Sequence, residues 1–114
     1  MMMESDLINQ LFEMAERGDA LIHELAKQGD LLAQADYSYY RQKTETAFRL
    51  KEVDGLPATM IPIVIKGMPE VAILLREREV AESRYRATQE SIMMLKKQLS
   101  LIENQISREW GQNE

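Results

Sequence analysis

The only histidine of the chain, His23, is the first residue to consider for metal binding or acid–base catalysis. Asp19 lies one helical turn before it, so the two side chains could together supply two ligands to a metal ion. A transition-metal site needs more ligands than these, and the chain has no cysteine and no second histidine. We therefore interpret His23 as a solvated side chain, and we expect no metal site and no bound cofactor.

No residue has the neighbours that a catalytic nucleophile needs. A serine or threonine becomes nucleophilic beside a base, but no nucleophile-elbow motif is present and the single histidine stands alone. A phosphate-binding glycine loop is also missing, because Lys66-Gly67 lacks the preceding glycine spacing. The many carboxylates fall on long helical stretches, where they form solvated faces. The sequence thus predicts no catalytic residue and a protein that is not an enzyme.

Aromatic and basic side chains alternate after residue 36. Such a pattern can bind nucleic acid, because rings stack on bases while cations hold phosphates. Alternatively, the tyrosine rings complete an apolar helix face while their hydroxyl groups remain in solvent. The cations would then form ion pairs across the two helices with Glu45, Glu77, Glu79 and Glu82. We favour this alternative and predict at most weak, salt-sensitive nucleic-acid binding. The candidate contacts are Tyr37, Tyr40, Arg41, Lys43, Arg49, Arg78 and Arg84.

The second half of the chain contains the clearest secondary-structure element. Apolar residues recur alternately every three and four positions from Val71 to Ile106, which is the pattern of a helix packed along one seam. Pro69 favours the start of that helix, because the amide that proline lacks needs no partner in the first turn. We predict helix B at about residues 70–110. Its most stable part should be Leu95, Leu99, Ile102 and Ile106.

A first helix, helix A, is predicted at about residues 5–53 and carries two adjacent apolar rows. Two rows are wider than one partner helix can cover, so we expect the chain to form a dimer or tetramer. Gly18 and Gly29 either mark a face where another helix comes close or break the helix. We favour one continuous or gently bent helix. The predicted oligomer or partner interface is Leu7, Ile8, Leu11, Phe12, Leu21, Ile22, Leu25, Leu95, Leu99, Ile102 and Ile106.

The connector between the two helices is apolar and bounded by Gly55 and Gly67. It could form a short helix that begins at Pro57 or Thr59. The β-branched run Ile63-Val64-Ile65 could instead form a strand. A lone strand would have no sheet to join, so we predict the short helix, with its apolar side buried at the closed end of the helix pair.

Composition sets the fold class. The chain has 114 residues, of which 29% are charged and 45% hydrophobic, too apolar for disorder and too charged for a membrane span. No cysteine, signal-peptide pattern or long apolar run is present, so we predict a cytoplasmic protein without membrane contact. We predict one all-α domain over residues 1–114. It is a long antiparallel helical hairpin, a coiled coil, with a short Pro-containing apolar connector at residues 54–69, and it oligomerises into a helical bundle.

The net charge of −5 is unevenly distributed. Residues 1–36 carry eight acidic and two basic side chains, whereas residues 37–51 carry four basic and one acidic. In an antiparallel hairpin, residues 37–51 would lie beside the arginines of residues 71–86. We therefore expect a polarised molecule with a basic closed end and an acidic open end.

Two parts of the sequence resemble a known family. They are Leu56-Pro57-Ala58-Thr59-Met60-Ile61-Pro62 with Lys66-Gly67, and the helical stretch from Tyr85-Arg86-Ala87-Thr88-Gln89-Glu90-Ser91-Ile92 to Leu101-Ile102-Glu103-Asn104-Gln105-Ile106-Ser107-Arg108-Glu109-Trp110. Over residues 5–110 the chain resembles small uncharacterised coiled-coil proteins from early regions of phages of Gram-positive bacteria. That family has no assigned activity, so no site residue follows. The resemblance implies a setting in the host bacterial cytoplasm, near replication, recombination or counter-defence genes.

Three functions are compatible with these features. The first is a non-enzymatic coiled-coil binding protein that modulates or inhibits a host or phage protein acting on nucleic acid. In its most specific form this protein would be an anti-defence inhibitor. The second is a nucleic-acid-binding accessory protein of recombination or replication that uses the basic closed end. The third is a structural scaffold. We favour the first because helix A is acidic and apolar-striped, and because the net charge counts against tight nucleic-acid binding.

Overall fold

A computed structural model describes residues 4–112, with side chains from residue 5 to residue 111. Helix α1 spans Glu4–Glu52. A short helix, α2, spans Ile61–Val64 and continues into a 3-10 turn at Ile65–Gly67. Helix α3 spans Pro69–Gln112. Residues 4–112 contain no strand, so the predicted all-α class and the two long helices are confirmed.

The chain contains two compact units, each with a segment of α1 and a segment of α3. The terminal unit comprises the described residues up to Lys27 and from Arg86 onwards. The connector unit comprises Gln28–Tyr85, including α2 and the 3-10 turn. The single domain predicted over residues 1–114 stays a prediction, and its first three and last two residues lie outside the described part of the chain.

The apolar seam predicted for both helices lies inside the molecule. In the terminal unit, Leu7 is fully buried and Leu95 and Ile102 are nearly so. In the connector unit, Tyr39 and Val71 are buried at corresponding positions of the two seams. The repeat of three and four residues therefore identified the packed side of each helix correctly.

Contacts within the connector unit show that its two long segments run antiparallel. Arg49 pairs with Glu70 near the connector, and Asp36 pairs with Arg78 farther along. Gly29 lies against Tyr85 still farther from the connector. Along these contacts the residue number decreases on α1 while it increases on α3, so the two segments run antiparallel. This is the hairpin arrangement predicted for this part of the chain.

The core of the connector unit is formed by side chains from all its elements. Tyr39 and Leu50 come from α1, Ile65 from the 3-10 turn and Val71 from α3. The half-buried residues packed around them are Ala47, Leu56, Ile61, Val64, Met68, Leu74 and Leu75. The predicted burial of the connector's apolar side is thus confirmed.

The connector begins with a tight turn at Gly55. This glycine has a positive φ of 69°, a backbone conformation that side chains with a Cβ rarely adopt. The turn lets the amide of Leu56 donate to the carbonyl of Leu50 at 2.9 Å. The chain then returns towards α3, as expected for a glycine that ends helix A.

Helix α2 begins at Ile61, later than the predicted start at Pro57 or Thr59. The preceding residues form a turn, in which the amide of Met60 donates to the carbonyl of Pro57 at 2.9 Å. A helix begun at Pro57 would place Pro62 where an amide donor is needed. With the start at Ile61, Pro62 falls in the first turn and no donor is lost.

Helix α1 is continuous through both glycines at which a break was considered. A Cβ added to Gly18 would lie 3.5 Å from Cδ2 of Leu95. A Cβ added to Gly29 would lie 3.4 Å from Cε2 of Tyr85. The glycines therefore lie on a small-residue face against α3, and the interpretation of each glycine as a helix end is wrong.

Replacing Gly18 with alanine is expected to stabilise the protein by about 0.5–1 kcal/mol. Alanine loses less backbone entropy than glycine in a helix, and the new methyl group makes an ordinary contact with Leu95. Chemical denaturation of both proteins measures the difference. A loss of stability in Gly18→Ala would show that the two helices approach more closely than this contact allows.

Candidate functional site

The eleven predicted interface residues divide into a buried and an exposed group. Eight of them lie on the seams and are buried or half-buried within the chain: Leu7, Leu11, Leu21, Leu25, Leu95, Leu99, Ile102 and Ile106. The other three, Ile8, Phe12 and Ile22, are 37%, 68% and 59% exposed. Whether any of them forms an interface stays a prediction, but these three are the most exposed side chains of the set.

Ile8, Phe12 and Ile22 belong to one line along α1, together with the exposed alanines Ala15 and Ala26. Their spacing of three, four and seven residues places them on one side of the helix, next to the buried seam. We call these five residues the α1 row. It is the second apolar row predicted for helix A, and it is left uncovered by α3.

A different side of the same α1 segment is acidic. Asp6 and Glu13 are exposed and lie across the helix from the α1 row by helical periodicity. We call these two residues the acidic side. The segment therefore offers apolar contact on one side and carboxylates on another.

Helix α3 of the terminal unit exposes a basic and apolar surface. Met93, Met94 and Leu101 are 58%, 62% and 66% exposed, and Lys96 and Lys97 lie between them in sequence. We call these five residues the α3 patch. Lys96, Lys97 and Leu101 also border a shallow depression of about 440 Å³. This patch was not predicted from the sequence, although the seven-residue spacing of Met94 and Leu101 places both on one side of a helix.

Most arginines of the predicted nucleic-acid site are engaged in ion pairs. Arg41 donates to Glu45 at 3.1 Å, and Arg49 donates to Glu70 at 2.9 Å. The half-buried Arg78 donates to Asp36. These hydrogen bonds raise the pKa values of Arg41 and Arg78, which remain cations. Arg84, a further predicted contact, also has an interaction partner.

The acidic partners of these arginines differ in part from those predicted. Glu45 and Glu82 were expected to pair across the two helices, but each contacts an arginine of its own helix, Glu82 at 3.9 Å from Arg78. The pairs that cross between helices use Asp36 and Glu70 instead. Crossing partners depend on the relative register of α1 and α3, which local spacing does not determine.

Of the two tyrosines in the predicted site, Tyr40 is partly covered by a cation. Tyr37 and Tyr40 are exposed, whereas Tyr39 is buried with its ring centroid 5.0 Å from that of Tyr40. Nζ of Lys43 lies 5.6 Å from the centroid of Tyr39, and Cζ of Arg78 lies 5.8 Å from that of Tyr40. A ring face that holds a cation is not free for a nucleobase.

Glu70 makes the stability of the connector unit depend on pH. Its own backbone amide, followed by Arg49, lowers the pKa of this carboxyl. The folded state therefore binds the proton less readily than the unfolded state. This contribution to stability is complete above the unfolded pKa, near pH 4, and is lost as the pH falls through the lower folded pKa.

We therefore expect Glu70→Gln to reduce the loss of stability on acidification. Urea denaturation at pH 7 and at pH 3 should show a smaller difference for the variant than for the parent protein. Glu77→Gln is the matched control, because Glu77 lies on the same helix and is exposed. Equal pH dependence of Glu70→Gln and the parent would contradict this assignment.

A concave apolar cavity lies between the three elements of the connector unit. Its volume is about 430 Å³. Tyr39 and Lys43 line it from α1, and Val71, Ala72 and Leu75 from α3. The remaining lining residues are Ile61, Pro62, Ile65 and Lys66. We call it the connector cavity. The burial of the connector was predicted from the sequence, but this cavity was not, because it depends on how the connector packs.

His23 and Asp19 are both exposed on α1. Within residues 4–112, no group of three histidine or acidic side chains is arranged to hold a metal ion. No helix in that range is long and apolar enough to cross a membrane. Comparisons of the chain with protein-family models, curated proteins and solved structures found no match.

Proposed function

We propose that this protein is a non-enzymatic coiled-coil binding protein. It acts as a homo-oligomer that engages, and thereby modulates or inhibits, a host or phage protein acting on nucleic acid. The observation that carries the proposal is the exposed α1 row on an otherwise acidic segment. It supplies an apolar contact for self-association and leaves carboxylates for a basic partner.

A second copy of the chain is the occupant that best fits the α1 row. Residues 5–27 carry five acidic and two basic side chains, whereas the α3 patch adds two lysines to its apolar residues. The α1 row of one copy can therefore meet the α3 patch of another with apolar and opposite-charge contacts together. Two-fold symmetry would make this contact twice, which is the usual arrangement of a homodimer.

The carboxylates that stay exposed after self-association indicate the class of partner protein. The acidic side lies across α1 from the row and stays exposed when the row is covered. Proteins that act on nucleic acid carry basic surfaces, because they bind phosphates. Carboxylates on a helix can compete for such a surface, with electrostatic attraction to accelerate the encounter.

Charge reversal of the acidic side tests the partner. We expect a tagged parent protein to capture a basic protein from nuclease-treated host lysate, and the purified partner to lose nucleic-acid binding when the complex forms. Asp6→Lys with Glu13→Lys should abolish both effects while leaving the oligomer mass unchanged. The matched control is Glu90→Lys, at an exposed position of α3. Capture that needs nucleic acid, or that survives the double reversal, would contradict the proposed function.

Direct nucleic-acid binding through the basic residues of the connector unit is the weaker candidate, because most of its arginines already have acidic partners. Any binding should be weak and fall with salt, with a log–log slope of about −0.7 to −0.9 per phosphate contacted. Gel-shift assays at increasing salt measure this. Submicromolar binding at physiological salt that is lost in Arg41→Glu with Arg49→Glu would favour this candidate instead.

A further inference from the structure

We infer that the connector cavity is a binding site for a small amphipathic anion, an aliphatic carboxylate whose apolar chain enters the cavity while its carboxylate meets Lys43 and Lys66. This site lies within the connector unit and is independent of the proposed protein-binding surfaces. Its ligand would be a small molecule, not a macromolecule.

The shape and composition of the connector cavity suit such a ligand. Its volume of about 430 Å³ lies near the lower end of the range for small-molecule sites, roughly 300–1,000 Å³. Helix α1, the connector and α3 each contribute part of the wall. Seven of the nine lining residues are apolar or aromatic: Tyr39, Ile61, Pro62, Ile65, Val71, Ala72 and Leu75. The interior therefore favours an apolar chain.

The charge around the connector cavity determines the polar end of the ligand. Lys43 and Lys66 are exposed, and they are the only charged residues among those that line it. Neither lysine has a carboxylate partner among the described residues, and Lys43 lies over the ring of Tyr39. Two cations beside an apolar space favour an anion and disfavour an amine or an uncharged chain of equal length.

Octanoate is the probe, and methyl NMR of the full-length protein is the measurement. We expect saturable shifts of the methyl groups of Ile65 and Val71, which line the cavity, without matching shifts at Ile73 and Val80, which do not. In the series from butanoate to octanoate, each added methylene should tighten binding about fourfold. Octanol and octylamine should bind at least about tenfold more weakly than octanoate, because they lack the charge-assisted contact.

Neutralising the two lysines provides the decisive variant. Lys43→Gln with Lys66→Gln should weaken octanoate binding by at least about tenfold and leave octanol binding unchanged. Both side chains are exposed, so the fold should persist. Lys51→Gln, at another exposed lysine of the same unit, is the control and should bind as the parent does. Absence of saturable shifts at Ile65 and Val71, equal binding of octanoate and octanol, or full binding by the double variant would each overturn the inference.

Discussion

Replacing Leu95 with alanine is expected to lower the free energy of unfolding by about 2–5 kcal/mol, the usual range for a buried leucine. Leu95 is only 5% exposed and its Cδ2 approaches Gly18 on α1. Because that neighbour is a glycine, no side chain stands there to fill the space that alanine would leave. Denaturation followed by circular dichroism measures the change.

Two further substitutions make the test specific. Leu99, on the same seam, is half-buried, so Leu99→Ala should cost less than Leu95→Ala. Glu90→Ala changes an exposed position and should alter stability by no more than about 0.5 kcal/mol. Equal losses at Leu95 and Glu90 would show that the packed side of α3 is assigned incorrectly.

The second large effect concerns the α1 row. If the chain self-associates as proposed, Phe12→Glu with Ile22→Glu should give a monomer at micromolar concentration. Each large apolar side chain buried at an interface contributes on the order of 1.5–3 kcal/mol, and the new carboxylates add a desolvation penalty. Both residues are more than half exposed within one chain, so the helical content should be unchanged. Sedimentation velocity and circular dichroism test the two parts of this expectation.

A matched control distinguishes the effect of where the new charges lie from the effect of how many are added. Asn9→Glu with Ala20→Glu adds two carboxylates to the same α1 segment at exposed positions away from the α1 row. This variant should keep the parent's mass. If both double variants dissociate equally, general repulsion rather than loss of the row would explain the result, and the assigned interface would be wrong.

The helices were predictable from sequence because their signal is periodic and local. The seam from Val71 to Ile106 repeats often enough to identify both the helix and its packed side. The same periodicity revealed the second row on α1, at Ile8, Phe12 and Ile22, although it did not show which residues would be covered. Burial within the chain supplied that distinction.

Features that depend on the relative register of α1 and α3, or on the packing of three elements together, were harder to predict from the sequence. The pairing of Arg49 with Glu70 joins residues 21 positions apart, so no helical spacing predicts it. The start of α2 depended on where Pro62 could lie without losing a hydrogen bond. The connector cavity requires side chains from α1, the connector and α3 together. These features arise from tertiary packing, which the residue pattern alone does not encode.

Self-association through the α1 row is the central claim, and light scattering of the parent protein at micromolar concentration tests it most directly. Ile8, Phe12 and Ile22 are exposed beside the buried seam, and the chain's own α3 does not cover them. We predict the mass of a dimer or tetramer, that is, two or four times 13.2 kDa. A mass of 13.2 kDa with cooperative melting intact would contradict the claim.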